Sequence, residues 1–214
     1  QSILYRNNSC DLQLEKDDIE KINFQDYSAV FISGTALSSN PSREAVFHAS
    51  QKASSQNIPL IIDLDYRPYN WESDEKKSDI YKKIMSEMDI IIGNDLEFNI
   101  ADNSPDGFQL TKHFIKEKPS IIVYKMGEKG SRVFTKEKEF EFGIFKVDAI
   151  KPTGAGDAFN GGFISSLYQG FSLEESIKRG SANAALVVTK VGCSSAMPNN
   201  DELEKFINQK SMET

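Results

Sequence analysis

Cysteine, histidine and tryptophan are scarce in this 214-residue chain, which has two, two and one of them. Two cysteines, Cys10 and Cys193, cannot staple a small secreted scaffold. The fold must therefore rest on a hydrophobic core, and a reducing cytoplasm is the expected compartment. His48 and His113 fall on predicted helices with no carboxylate or thiol partner in a catalytic spacing, and neither reads as a metal ligand. No apolar run approaches the ~20 residues that a membrane-spanning helix needs, and the polar opening Gln1-Ser2 does not read as a signal peptide. Positive charge is in deficit too: 25 Lys and Arg against 32 Asp and Glu give a net charge of −7. That balance argues against a nucleic-acid partner, whose phosphates reward basic patches. An anionic small molecule stays compatible, because a local Arg or helix N-terminus outweighs a distant surface charge.

What is present is an ordinary globular composition, 39% hydrophobic and 27% charged, long enough for one sizeable core. Residues 1–214 are read as a single α/β domain. Short apolar runs at Ala29–Ile32, Pro59–Ile62, Asp89–Gly93 and Ile121–Tyr124 have the look of buried parallel strands. Helical stretches alternate with them: 41–56, capped by Asn40 with Pro41 at the first helical position, then 74–88 and 106–116. Ser131–Thr135 and Glu139–Phe142 flank the charged Lys136-Glu137-Lys138 as a hairpin. Helices at 155–169, 173–189 and 201–208 follow. Alternating strands and helices predict a mostly parallel sheet with helices on both faces and a small β-hairpin. In such sheets ligands bind beyond the carboxyl ends of the strands. Asp63, Asp65 and Arg67 follow one strand end, Asn94 and Glu97 another, and Gly127 to Gly130 a third.

The densest chemical signal is Lys151-Pro152-Thr153-Gly154-Ala155-Gly156-Asp157. After it, Phe159, Phe163 and Leu167 recur at helical spacing. Gly154 to Gly156 thus sit where a helix begins, with unpaired N–H groups and a positive dipole end. Such a start can hold an anion, and glycine lets a phosphate approach the main chain. Asp157 in the first turn could accept a proton from an alcohol while the amides hold a transferring phosphoryl group. By spacing alone, the segment reads equally as a glycine-rich helix start whose acid complements the dipole.

Gly154-Ala155-Gly156-Asp157, preceded by Lys151-Pro152 and followed by Asn160-Gly161-Gly162-Phe163, closely resembles the C-terminal signature of the ribokinase-like (phosphofructokinase-B type) carbohydrate kinases. Two more matches precede it in the family's order. Asn94-Asp95-Leu96-Glu97 resembles the Asn-x-x-Glu motif, and Lys125-Met126-Gly127-Glu128-Lys129-Gly130 is similar to the Gly-x-x-Gly turn near the nucleotide. Asp63-Leu64-Asp65-Tyr66-Arg67-Pro68-Tyr69-Asn70-Trp71 resembles the Asp-x-Asn-x-Arg…Trp segment of 2-keto-3-deoxygluconate kinases. It looks closer still to the Asp-Tyr-Arg-Pro form of 5-dehydro-2-deoxygluconokinases. Ser33–Ser38, Pro41–Val46 and the Tyr5-Arg6 pair resemble the same enzymes.

The resemblance implies ATP and Mg²⁺ as cofactors and a sugar acid as acceptor, first 5-dehydro-2-deoxygluconate, then 2-keto-3-deoxygluconate, then a neutral sugar such as fructose or ribose. It implies Asp157 as general base, with Gly154, Ala155 and Gly156 holding the transferring group. Asn94 and Glu97 would organise Mg²⁺ through water. Lys125, Gly127, Gly130 and Asn183 would lie along the nucleotide. Arg67 and Arg6 would take the substrate carboxylate, with Asp65 standing where the family has Asn. Trp71 reads as packing rather than a sugar platform. Many relatives place Asp, which helps hold a monovalent cation, where Lys151 stands; Lys151 cannot ligate K⁺, so K⁺ activation is expected to be small. The chain opens without Met inside a strand-like Ile3-Leu4-Tyr5, and the family's usual opening strands and lid are not in the sequence. It is therefore expected to be a C-terminal fragment of a longer kinase, with a non-catalytic nucleotide- or sugar-binding module as the rival reading. Oligomeric state is left open, a homodimer included.

Overall fold

A computed structural model describes residues 9–71 and 77–210. Six strands form one sheet in the order β1-β2-β3-β4-β5-β6. They are β1 (Val30–Ser33), β2 (Leu60–Asp63), β3 (Ile90–Asn94), β4 (Ile121–Lys125), β5 (Ser131–Thr135) and β6 (Glu139–Phe142). The first four are parallel and in register, pairing Ser33 with Asp63, Asp63 with Ile92, and Asn94 with Lys125. The helices are α1 (Lys16–Glu20), α2 (Ser42–Ser55), α3 (Lys77–Met85), α4 (Asp95–Asp102), α5 (Phe108–Phe114), α6 (Ala155–Tyr168), α7 (Leu173–Val188) and α8 (Asn200–Gln209). This is the expected fold class.

The chain divides into two compact units. One holds the residues up to Lys125 with Val133–Phe140; the other holds Met126–Arg132 and the chain from Glu141 onward. In the first, all four residues of β2 are buried, as a strand covered on both faces requires. Helix α2 turns Ala45, Val46, Ala49 and Ala53 inward, the i, i+4 recurrence of an amphipathic helix. Its start differs from the sequence expectation. Pro41 is itself the cap residue and Ser42 the first helical residue; the Ser42 hydroxyl donates to the Ala36 and Ser39 carbonyls at 2.7 and 3.1 Å. Helix α3 stops at Met85, three residues short of the predicted end, and buries Tyr81, Ile84 and Met85. The predicted start of that helix lies outside the described residues.

The second unit is built on the pairing of α6 with α7. Close approach is possible because each helix offers a glycine at the crossing. A Cβ on Gly162 would come within 3.0 Å of the Arg179 carbonyl oxygen, and one on Gly180 within 2.9 Å of the Phe159 carbonyl oxygen. The buried Arg179 ties α6, α7 and α8 together. Its Nε donates to Ser166 Oγ at 3.1 Å, and its Nη1 lies 2.6 Å from Glu204 Oε1.

Candidate active site

Each parallel strand of the first unit ends in a polar residue: Ser33, Asp63, Asn94 and Lys125. Apolar residues fill the strands, so the polarity begins where the strands leave the core. Asp63 is only 8% exposed, and Lys125 Nζ stands 3.5 Å from its Oδ1. Beyond β3, Asn94 caps α4 in a reciprocal pair. The Glu97 N–H donates to Asn94 Oδ1 at 2.9 Å and the Asn94 N–H donates to Glu97 Oε2 at 2.7 Å, the capping-box arrangement.

Glu97 is more than a cap. It is 5% exposed. Burial pushes its carboxyl up to about 7, Asp63 adding to the rise while Lys125 and the Asn94 N–H oppose it. An exposed cap residue would meet no such cost. The residue therefore sits as a poorly compensated carboxyl beside a second one, an arrangement that added positive charge would relieve. A hydrated Mg²⁺ fits that chemistry. Among the described residues no three Asp, Glu, His or Cys side chains cluster tightly enough to enclose a metal.

After β2 the backbone turns sharply. Asp65 has φ +35°, a left-handed value uncommon for a non-glycine residue. Its carboxylate accepts from Ser33 Oγ at 2.8 Å and pairs with Arg67 Nη2 at 2.5 Å. Arg67, expected at a substrate carboxylate, is thus held by an internal one, its side chain 38% exposed. Arg6 lies outside the described residues. Sequence reading missed the aromatic cluster behind this turn: Trp71, Tyr66 and Tyr81, with ring centroids 5.5 to 6.5 Å apart. Tyr81 donates its hydroxyl to the Leu64 carbonyl at 2.9 Å, fixing the backbone between Asp63 and Asp65. The spacing from Tyr66 to Trp71 was the only available signal.

In the second unit, Gly127 and Gly130 take φ of +59° and +81°, as turn glycines should. Only at Gly130 is the space closed, since a Cβ would come within 1.9 Å of the Phe142 carbonyl oxygen. The chain then reaches the Lys151–Asp157 segment, strapped to the end of α7 by the Ile150 N–H, which donates to the Val188 carbonyl at 2.8 Å. Gly154 has φ +89° and caps α6, which starts at Ala155. Helix geometry leaves its first-turn N–H groups without acceptors inside the helix. One of them is used nearby: the Ala155 N–H donates to the Pro152 carbonyl at 3.2 Å. Asp157 lies in the first turn and is exposed. Lys151 does not project freely, because its ammonium donates to the Thr153 carbonyl at 2.7 Å and lies 3.6 Å from Cys193 Sγ. Asn183 Nδ2 donates to the Ala158 carbonyl at 3.1 Å, so one half of that amide serves the α6–α7 contact.

Comparisons with known proteins show the family. The chain belongs to the pfkB family of carbohydrate kinases, whose profile matches residues 1–210. It is 37% identical over 211 residues to the 5-dehydro-2-deoxygluconokinase of Photobacterium profundum, an alignment covering 96% of this chain and 64% of that one. With the 5-dehydro-2-deoxygluconokinase of Bacillus subtilis the identity is 34% over 212 residues, covering 98% and 65%. The chain thus spans about two thirds or slightly less of the curated relatives it matches. Among solved structures, aminoimidazole riboside kinase from Salmonella enterica, in complex with aminoimidazole riboside and an ATP analog, aligns at a TM-score of 0.75. Identity is 24%, over 83% of this chain and 61% of that one. An E. coli protein described as a ribokinase II, in complex with ATP and Mg²⁺, aligns at 0.80 with 21% identity, over 92% and 64%. At those identities the structural likeness establishes the ribokinase-like fold.

Proposed function

We propose that the protein of which this chain is part transfers the γ-phosphate of ATP to a primary hydroxyl of a sugar acid, with 5-dehydro-2-deoxygluconate the leading acceptor. The observation that carries this reading is the start of α6: a left-handed Gly154 opens the helix and puts exposed Asp157 in its first turn. The name borne by relatives 34–37% identical supports the choice of acid.

The work expected of each residue follows from its surroundings. Asp157 takes the proton of the attacking hydroxyl. It can be a base because nothing buries it and the helix dipole favours its charge. The Gly154 and Gly156 N–H groups hold the migrating phosphoryl; Ala155 contributes less while Pro152 engages its amide. Bound Mg²⁺ supplies positive charge against the phosphates. Asn94 and Glu97 would orient its water shell, and Lys125 would balance the phosphates beside Asp63. Gly127, Gly130 and Asn183 would shape the nucleotide's surroundings. Arg67 would exchange Asp65 for the substrate carboxylate, a two-point match for its guanidinium, with Arg6 as its partner in that task. The ammonium of Lys151, anchored on Thr153, would stand in for a monovalent cation.

A panel of acceptors tests the reading. ADP release is followed with 5-dehydro-2-deoxygluconate, 2-keto-3-deoxygluconate, fructose and ribose as acceptors. Turnover should be highest with the first acid and at least tenfold lower with the neutral sugars, which forgo a charged hydrogen bond. Preference for a neutral sugar would overturn the acid assignment.

A further inference from the structure

Trp71 is the one tryptophan of the chain, and packing accounts for its ring but not for its nitrogen. The ring is 7% exposed. It lies 5.5 Å from the Tyr81 ring and 6.4 Å from that of Tyr66. The Arg43 guanidinium sits over it at 5.5 Å and is itself fixed by the Leu37 and Ser38 carbonyls at 2.6 and 2.7 Å. A ring held from three directions has a fixed N–H direction. Yet Nε1 is buried and has no hydrogen-bond acceptor among the described residues, and the same is true of the neighbouring Asn70 Nδ2.

Buried donors normally have partners, and an unmet one costs on the order of 1–3 kcal/mol. Phenylalanine would fill the same apolar space without that cost. Both donors belong to the 3₁₀ turn that follows Arg67, where the Asn70 N–H donates to the Arg67 carbonyl at 3.1 Å. They therefore move with the residue assigned to the acid's carboxylate. Because Nε1 is buried here, a ligand acceptor can reach it only when the groups that cover it shift.

We propose that the Trp71 indole N–H is a specificity-determining donor, which gives its hydrogen bond to a carboxylate oxygen of the sugar acid when Arg67 leaves Asp65. The inference rests on the sugar-acid reading and deepens it. A carboxylate is favoured over a hydroxyl because hydrogen bonds to a charged acceptor are about twice as strong.

A single indole makes the test direct. In a ¹⁵N-labelled sample of this chain, the one indole cross-peak is followed during titration with 5-dehydro-2-deoxygluconate, with fructose and with ATP. The acid should move it downfield and the other two should leave it in place. In parallel, Trp71→Phe should weaken acid binding by about tenfold, the worth of one lost hydrogen bond, and leave ATP binding unchanged. A stationary indole peak while the amides of residues 65–67 respond to the acid overturns the inference and leaves the sugar-acid reading intact. An equal response to fructose overturns it as well. Saturating acid that disturbs no resonance overturns both.

Discussion

The strand-end cluster of the first unit and the helix start of the second solve the handling of charge in opposite ways. The cluster is built from side chains: Asp63, Glu97 and Lys125 stand nearly buried, and the carboxyl of Glu97 is held up to about 7. The helix start is built from backbone, with a left-handed glycine and an exposed acid. Burial makes the first expensive and tunable by whatever charge arrives. The second costs little because its dipoles come from peptide groups that the helix needs anyway.

The sharpest way to break this contrast is Asp157→Asn. Turnover on the sugar acid should fall by roughly 10²–10⁴-fold, the usual worth of a positioned base, while ATP binding measured by calorimetry stays within twofold. Retained turnover would give the proton to another group. Next comes Lys125→Met. Removing the cation leaves Asp63 and Glu97 facing one another, and denaturant unfolding should show a loss of about 3 kcal/mol; a loss within error would mean that the pair is screened by solvent.

Glu97→Gln sharpens the comparison through pH. A carboxyl whose folded pKa is raised above its unfolded value contributes stability that is complete below about 4.5 and is lost as pH rises through about 7. The native chain should thus lose stability between pH 5 and 8. The variant should lose less over that window, the difference approaching about 3 kcal/mol at most. Parallel profiles for the two proteins would show that Glu97 is not raised in the fold. Gly154→Ala is the smallest change. At φ +89° an alanine is strained by about 1–2 kcal/mol, read as a drop in Tm, with the nearest side chains, Val187 and Cys193, 3.4 Å or more away. An unchanged Tm would mean that the loop relaxes freely.

The two regions also differed in how far the sequence disclosed them. The helix start was legible residue by residue, since glycine, helical periodicity and an acid are local signals. The strand ends were legible as positions, because apolar runs stop at Asp63, Asn94 and Lys125. Their energetics were not. That Lys125 meets Asp63, or that Glu97 is buried rather than an exposed cap acid, depends on the register of parallel strands distant in sequence. Helix α1 went unread because five residues carry too little periodicity. The start of α2 was displaced by one residue because the proline that reads as a first helical residue serves as the cap. The orphaned Trp71 nitrogen belongs to the same class of hidden facts: composition shows an aromatic, and only packing shows which atom is left over.

Phosphoryl transfer by this protein requires that main-chain amides at the start of α6 hold phosphate. Backbone ¹⁵N shifts of residues 154–157, followed through titration first with ADP and then with a non-hydrolysable ATP analogue plus the sugar acid, measure this directly. The amides of Gly154, Gly156 and Asp157 should respond to the γ-phosphate-bearing ligand well beyond their response to ADP, with Ala155, engaged by Pro152, moving least. If all four stay in place while amides elsewhere in the chain report the nucleotide bound, the phosphate is held somewhere else.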